Sequence, residues 1–311
     1  MTDAWGRREL LLSAVPLALL ACEGATPQPL TPESPTAMRP FYADEVIPAD
    51  LDCVFRVDVG EARKALAERA TEARETLSHE PLIAAALEQA EVLTVGLRFR
   101  HLAEGDRVLV VESRENPPPP EGSGFAEGPS QNPHVRIFYR QGDAPRDGTQ
   151  MIVLLSDRAT VFVSPSEVDA VLRVLRTAPD EWRGRPAAEG LVSADVRPGR
   201  MPPLYEKRYK SFAKLLGSVQ RLKAKLSVSE EALELDCNFF ADDDLAAGNL
   251  AQFFEAIAEN APDSPLGRML ASIQRNKVGT VLHLRARLPP ELLVALWTAR
   301  KTDEPVAPLR E

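Results

Sequence analysis

Short segments in which apolar and polar residues alternate recur along most of this 311-residue chain. The first of them, residues 52–59, places Cys53, Phe55, Val57 and Val59 on one face, as expected for a strand with one buried side. Segments with helical spacing lie between such strands, and several neighbouring strands are separated only by short polar loops. These features predict an α+β fold with mostly antiparallel pairing. Strands are predicted at residues 52–59, 93–101, 106–112, 135–140, 151–156, 160–163, 191–196, 232–240 and 278–288, and helices at 61–77, 81–90, 164–176, 204–226, 242–260, 264–274 and 290–299.

The order of these elements predicts two loosely similar halves, residues 49–190 and 191–301, followed by a tail at 302–311. Each half is expected to be a mostly antiparallel sheet with helices packed on one face. Late in each half, a strand leads into a proline-containing helix start, with Glu167 in one and Glu291 in the other. We interpret this similarity as an internal duplication. The whole pattern resembles uncharacterised exported bacterial families with paired α+β halves, although it contains no diagnostic motif.

The N-terminus has the three parts of a secretory signal, which are a short charged region, an apolar run over residues 10–21 and a small-residue cleavage site. The apolar run is shorter than the roughly 20 residues that a membrane-spanning helix needs. Leu19-Leu20-Ala21-Cys22 resembles the lipobox of bacterial lipoproteins. That resemblance implies removal of residues 1–21, lipidation of Cys22, and a membrane reached through the lipid anchor.

The same region bears on the export route and the destination. Arg7 and Arg8 also resemble a twin-arginine signal, but Gly6 stands where Ser or Thr is usual, so the general and the twin-arginine routes both stay open. Glu23 follows the cysteine. In the lipoprotein family an Asp at that place favours retention in the inner membrane. The resemblance therefore implies the outer rather than the inner membrane, with the protein facing the periplasm.

Two segments are rich in proline. Residues 22–48 are predicted to be the lipidated cysteine and an extended tether, so that the folded part begins near residue 49. Residues 113–133, which include four consecutive prolines, join two predicted strands. We interpret this segment as an insertion without regular structure or, alternatively, as a proline-rich docking arm.

Residues 204–226 carry apolar side chains at helical spacing and are predicted to form one long amphipathic helix. Five basic residues would line its opposite face, although the chain has a net charge of −9. This face is a candidate for contact with an anionic surface, such as lipid headgroups, an acidic polysaccharide or an acidic partner. The alternative is a solvated helix face that acidic neighbours partly neutralise. The five residues are Lys207, Lys210, Lys214, Arg221 and Lys225.

Cys53 and Cys237 are the cysteines that follow Cys22, and each is predicted on the apolar side of a strand in its own half. In an oxidising periplasm they could form a disulfide between the halves. Alternatively, both are buried thiols that belong to the core. Neither cysteine has metal-ligand spacing with another residue.

The mature chain lacks the motifs that identify common catalytic sites. Ser123 is flanked by glycines but lies in the proline-rich segment, not on the strand–turn–helix that a serine nucleophile needs. No glycine-rich phosphate loop is present. Residues 242–244 are three aspartates that fit the N-terminus of a helix better than a cation site. The histidines are not spaced as metal ligands. They are His79, His101, His134 and His283.

These patterns predict a membrane-anchored envelope lipoprotein with a non-enzymatic binding or interaction role in the periplasm. No cofactor or metal is expected, and the acidic net charge argues against nucleic acid as a partner. An anionic envelope component or another protein is the expected partner. The first alternative is a carrier of a hydrophobic ligand such as a lipid. The second is a hydrolase whose residues converge only in three dimensions.

Replacing the lipid acceptor tests the anchor directly. Cys22→Ser should lose the acyl mass and move from the membrane fraction to the soluble fraction, because no acyl chains then bury methylenes in the bilayer, at about 0.8 kcal/mol each. Fractionation and intact mass measure both effects. A Cys22→Ser protein that still sediments with membranes would exclude Cys22 as the anchor.

Overall fold

In the part of the chain that the structure describes, the fold is built on twelve strands that pair only with antiparallel neighbours. A computed structural model describes residues 40–65, 80–99, 107–115, 120, 122–144, 148–155, 158–176, 190–198, 210–228, 233–261 and 265–288. The strands are β1 Cys53–Asp58, β2 Ala90–Leu97, β3 Arg107–Ser113, β4 Phe125–Gly128, β5 Val135–Arg140, β6 Met151–Leu155, β7 Ala159–Val163, β8 Val192–Val196, β9 Val219–Val228, β10 Leu233–Ala241, β11 Gln274–Val278 and β12 Val281–Leu288.

Helices connect or flank these strands and confirm the predicted α+β class. Most predicted strands and the helices that open at Pro81, Ser164, Asp242 and Pro265 agree with the structure to within a few residues. The predicted helix at 290–299 and most of the one at 61–77 lie outside the described residues. The helices are α1 Val59–Ala65, α2 Pro81–Gln89, α3 Val168–Arg176, α4 Lys210–Gly217, α5 Asp244–Glu259 and α6 Pro265–Ala271, with 3-10 turns at Ala43–Val46 and Pro165–Glu167.

All twelve strands belong to one sheet, in the order β11-β12-β10-β9-β8-β1-β2-β3-β7-β6-β5-β4. β1 pairs with β8 at its centre, from Cys53 opposite Val196 to Val57 opposite Val192. The prediction of a separate sheet in each half was therefore wrong. The backbone hydrogen bonds between β1 and β8 join the first predicted half to the second, because each of these strands would otherwise have an unpaired edge.

The strands β3, β6 and β7 are buried on both faces of the sheet. One face packs against α2 and contains Phe138, Ile152 and Phe162 in its core. The other packs against α3 and the segment before β1, around Val110 and Val153. Strands covered on both sides need apolar residues at nearly every position, and all five residues of β7 are buried. Helices therefore cover both faces here, not one as predicted.

The segment before β1 belongs to the folded body. Phe41, Val46 and Ile47 are buried in the same core as β3 and β6. Gly96 in β2 makes room for this segment, since a Cβ at that position would overlap the Leu51 side chain. The compact unit begins at Pro40. The predicted tether of residues 22–48 was thus too long. The prolines of this segment indicated an extended chain, whereas its apolar residues belong to the core.

A buried ion pair ties this segment to the rest of the fold. Glu167 is 1% exposed and accepts two hydrogen bonds from Arg98, of 2.7 and 3.1 Å. Arg98 also donates to the Asp50 carboxylate at 3.2 Å. The hydrogen bonds to Glu167 raise the pKa of the Arg98 guanidinium, so it stays charged. Three chain segments are joined by one cation, which offsets the cost of burying the Glu167 carboxylate.

The predicted helix over residues 204–226 was wrong. The helix α4 ends at Gly217, and the chain then runs as strand β9 from Val219 to Val228. From Arg221 to Leu226 polar and apolar residues alternate strictly, which is a strand pattern. The apolar spacing of four between Leu222 and Leu226 satisfies a helix and a strand equally, and this ambiguity produced the error.

Two edge strands were not predicted. β4 lies inside the proline-rich segment 113–133 and buries Phe125, so part of that segment has regular structure. β11 occupies residues assigned to a helix end, a loop and the first residue of a strand, and all five of its residues are exposed. It forms because Gly279, at φ +57, allows the tight turn that folds it back onto β12.

Shortening a core side chain in the N-terminal segment tests its role. Ile47→Ala should lower the free energy of unfolding by about 3 kcal/mol, because Ile47 is 1% exposed and leaves a cavity. Leu245→Ala is the matched control. Leu245 is 72% exposed, so its loss should change stability by less than about 0.5 kcal/mol. Urea unfolding of both variants measures the difference, and equal effects would place residues 40–47 outside the core.

Candidate binding face

The strands β8 to β12 are covered by helices on one side only. The helices α4 and α5 pack on the side that carries Leu222, Phe239 and Leu282. Among the described residues, no helix packs against the other side, which we call the open face. Two side chains of the open face, those on β8, are buried, and the others are partly or fully exposed. All of them come from alternate positions of these strands. They are Ser193, Asp195, Arg221, Lys223, Lys225, Ser227, Glu234, Asp236, Asn238, Phe240, Gln274, Asn276, Val278, Val281, His283, Arg285 and Arg287.

Strand register aligns the polar residues of the open face in rows across the sheet. One row runs from Lys225 through Asp236 and Arg285 to Gln274. The next row runs from Lys223 through Asn238 and His283 to Asn276. Side chains directly opposite each other on antiparallel strands lie close enough to interact. Each row thus presents a continuous polar surface four strands wide.

Charges of opposite sign alternate from strand to strand on the open face. Arg221 on β9 donates to the Asp195 carboxylate on β8, with its Nε 2.9 Å from Oδ1. Arg285 on β12 donates to Asp236 on β10 at 2.8 Å. The Arg287 Nε lies 3.7 Å from a Glu234 carboxylate oxygen. These cross-strand pairs explain how a face rich in charge remains compatible with a stable sheet.

The open face nevertheless carries a surplus of positive charge. Arg221, Lys223 and Lys225 on β9 and two arginines on β12 give five basic side chains, against three acidic ones on β8 and β10. The chain as a whole has a net charge of −9. A local positive surplus on an acidic protein favours an anionic partner at this face.

A depression of about 510 Å³ lies on the open face where β10, β12 and β11 meet. The His283 Nδ1 lies 2.5 Å from Asn238 Oδ1 within it, and Arg285 holds Asp236 beside them. His283 and Arg285 are exposed, so the depression is open to solvent. Its lining residues are Asp236, Asn238, Gln274, Arg275, Asn276, His283, Leu284 and Arg285.

The predicted basic face of a single helix is divided in the structure. Lys214 lies on α4, on the helix-covered side of the sheet, whereas Arg221 and Lys225 lie on the open face of β9. Lys210 is the first residue of α4, and Lys207 lies outside the described residues. The five residues therefore do not form one surface. The strand β9 instead brings Lys223, which was not predicted, between Arg221 and Lys225.

Cys53 and Cys237 are free thiols, so the disulfide alternative was wrong. They lie on β1 and β10, which are separated by three strand spacings, or about 14 Å. A disulfide needs Cα atoms within about 7 Å. Burial raises the pKa of each thiol to about 11, and nearby carboxylates add to the effect, from Asp195 and Asp52 for Cys53 and from Asp236 for Cys237.

The other candidates from the sequence have structural roles or fall outside the structure. Asp243 caps α5 by accepting a 2.7 Å hydrogen bond from the Ala246 amide, and Asp244 pairs with Lys277. This confirms the helix-start interpretation. In the part of the chain that the structure describes, no cluster of His, Cys, Asp and Glu has the arrangement of a metal site. Cys22, His79 and His101 lie outside that part.

Sequence reasoning missed most of the depression. His283 was assigned to a strand but given no partner, and Asn238, Gln274 and Asn276 were not singled out. The alternation along β10 and β12 could have placed Asn238, His283 and Arg285 on a polar strand face. No local signal identifies β12 as the neighbour of β10, because the α5–α6 connection and β11 separate them in the chain.

Among the described residues, no helix has the length and apolar content needed to cross a membrane. No protein-family model matches the chain, and no curated protein matches it. The chain is similar to crystal structures of TP0453 in three crystal forms. Form III has a TM-score of 0.45 and 13% identity, covering 84% of this chain and 98% of that one. Forms I and IV have TM-scores of 0.43 and 0.44, identities of 13% and 12%, and cover 83% and 84% of this chain and 97% and 96% of theirs.

The thiol assignment predicts how Cys53 and Cys237 react. In folded Cys22→Ser protein at pH 8, both should alkylate roughly 100-fold more slowly than in the unfolded chain, because burial keeps them protonated. Denaturation without reductant should then expose two reactive thiols, counted by mass after iodoacetamide treatment. A protein that accepts no label until it is reduced would contain the disulfide.

Proposed function

We propose that this chain is a lipid-anchored bacterial envelope protein that binds an anionic envelope component through its open face, without catalysing a reaction. The observation that carries the proposal is the positive surplus of β9 and β12 on an otherwise acidic chain. Five basic side chains stand on one sheet face that no helix of the described residues covers. Charge complementarity of this kind raises the rate and the specificity of association.

The anchor would hold this face within reach of the envelope. The lipobox resemblance at Cys22 supports lipidation there, and the compact unit begins at Pro40. Residues 22–39 therefore remain as the tether, 18 residues in all. Proline-rich sequence extends about 3.1 Å per residue, which gives a reach of up to about 55 Å. The outer membrane is the proposed location, facing the periplasm.

We also propose that the two sets of strands arose by duplication. Outward from the centre, one set reads β1-β2-β3-β7-β6-β5-β4 and the other β8-β9-β10-β12-β11, so that β5 and β4 are an addition to the first set. In each set, the third strand pairs with the last one, and the strand before the last lies beyond it. A helix between the first and second strand packs on the same face in both sets, α2 in one and α4 in the other. The open face would then be a specialisation of the second copy.

A hydrolase is the second candidate, because the depression brings His283 together with the carboxylate of Asp236. Their contacts favour binding instead. His283 is hydrogen-bonded to Asn238, and Asp236 to Arg285, so neither orients the other for proton transfer. The Arg285 side chain is 61% exposed, whereas catalytic charges act best where water is excluded. The polar lining likewise gives no support to a carrier of a hydrophobic ligand.

Neutralising the β9 lysines tests the binding face. In the Cys22→Ser background, Lys223→Gln with Lys225→Gln should weaken sedimentation with bacterial envelope fractions roughly 30-fold at low salt, since each basic residue near an anionic surface is worth about 1 kcal/mol. Raising the ionic strength should weaken binding of the parent protein as well.

The matched control removes two charges elsewhere. Lys214→Gln with Arg176→Gln changes exposed residues of α4 and α3 and leaves β9 untouched. This pair should bind as the parent does. If the control weakens binding as much as the β9 pair, net charge and not the open face is responsible. If the β9 pair binds normally at low salt, the proposal fails.

A further inference from the structure

The depression between β10, β12 and β11 presents hydrogen-bond donors and acceptors together. Asn238, Gln274 and Asn276 each carry an amide, which donates through nitrogen and accepts through oxygen. Asn238 Oδ1 accepts a hydrogen bond from His283 Nδ1, which leaves the His283 Nε2 for a ligand. A ligand of this depression must therefore offer groups that both donate and accept.

A purely anionic group fits the depression poorly. The lining includes Arg275 and Arg285, but Arg285 already pairs with the Asp236 carboxylate and Arg275 lies 3.8 Å from Glu255, and the amide oxygens add further acceptors. Phosphate and carboxylate groups offer mainly acceptor atoms, so they could pair with the amide nitrogens and the arginines but would leave the amide oxygens without a donor. Hydroxyl groups donate and accept at once. Adjacent hydroxyls on a sugar ring match neighbouring amides, which identifies a carbohydrate as the chemistry that suits this lining.

The lysines of β9 continue the same rows. Lys223 is in the row of Asn238 and His283, and Lys225 is in the row of Asp236 and Arg285. The distance from β11 to β9 spans three strand spacings, about 14 Å, which is longer than one sugar ring. A ligand that fills the amide-lined depression and reaches the lysines must therefore be a chain of several sugars with negative charge on some of them.

Resting on the proposed function, we infer that the anionic component is an acidic polysaccharide whose sugars occupy the depression and whose carboxylates contact β9. The amides of the depression would hydrogen-bond to the sugar hydroxyls, and the lysines of β9 would attract the carboxylates. Removing amides should then affect only ligands with hydroxyls, whereas removing lysines should affect every polyanion.

The test compares three polymers by calorimetric titration of the Cys22→Ser protein. Polygalacturonate carries hydroxyls and carboxylates, polyglutamate carries carboxylates without hydroxyls, and dextran carries hydroxyls without charge. We expect polygalacturonate to bind at least tenfold more tightly than either of the others. Gln274→Ala with Asn276→Ala should weaken polygalacturonate at least fivefold and leave polyglutamate unchanged. Lys223→Gln with Lys225→Gln should weaken both polyanions.

The control and the contrary outcomes separate the two proposals. Gln220→Ala removes an exposed amide elsewhere on β9 and should change nothing. Gln274 and Asn276 are exposed on an edge strand, so we expect their variants to fold, and thermal melting checks this. Polyglutamate binding as tightly as polygalacturonate, or no effect of the amide pair, would overturn the sugar inference and leave the anionic face standing. If dextran bound as tightly as polygalacturonate, the negative charge of the ligand would not matter, and the inference that the polysaccharide is acidic would be overturned. Failure of both polyanions to bind would overturn both proposals.

Discussion

The hydrogen-bonded ladder between β1 and β8 is the interaction on which the rest of the structure depends. Five residue pairs, from Cys53 opposite Val196 to Val57 opposite Val192, join both sets of strands into one sheet. Directly opposed residues share a face, so this register fixes which side chains of the two sets lie on the same side. A shift of one residue would turn the apolar side of β9 and β10 away from α5.

The two sets use the shared sheet in different ways. On the β4 side, α2 covers one face, and α3 with the N-terminal segment covers the other, so strands such as β7 are buried throughout. On the β11 side, α4 and α5 cover one face, and β9 alternates. Stability is therefore concentrated in the first set and the helix-covered side of the second. The open face contributes little to the core.

How much the sequence predicts depends on whether the deciding interaction is local. The segment 135–140 was placed as a strand with the bounds that the structure has, because its own composition determines it. The β9 strand was assigned to a helix because Leu222 and Leu226 fit both periods, and its pairing with β8 and β10 decides between them. The disulfide alternative was wrong for a non-local reason as well. The order of the strands, and not the sequence pattern around each cysteine, separates Cys53 from Cys237. The depression was not predicted, because β11 forms one side of it. The sequence of β11 has no apolar pattern, and the strand depends on the turn at Gly279.

The fold itself does not require the arrangement found on the open face. A sheet side exposed to water needs only polar residues, and cross-strand pairs there contribute about 0.2–1 kcal/mol each. Pairing accounts for Arg221 with Asp195 and for Arg285 with Asp236. It does not account for three amides gathered in one depression. Lysine on an exposed strand face serves solubility as well as binding, whereas amides grouped in a concave site gain little from either solubility or packing. The amides are therefore the feature that most separates a recognition surface from a merely solvated one.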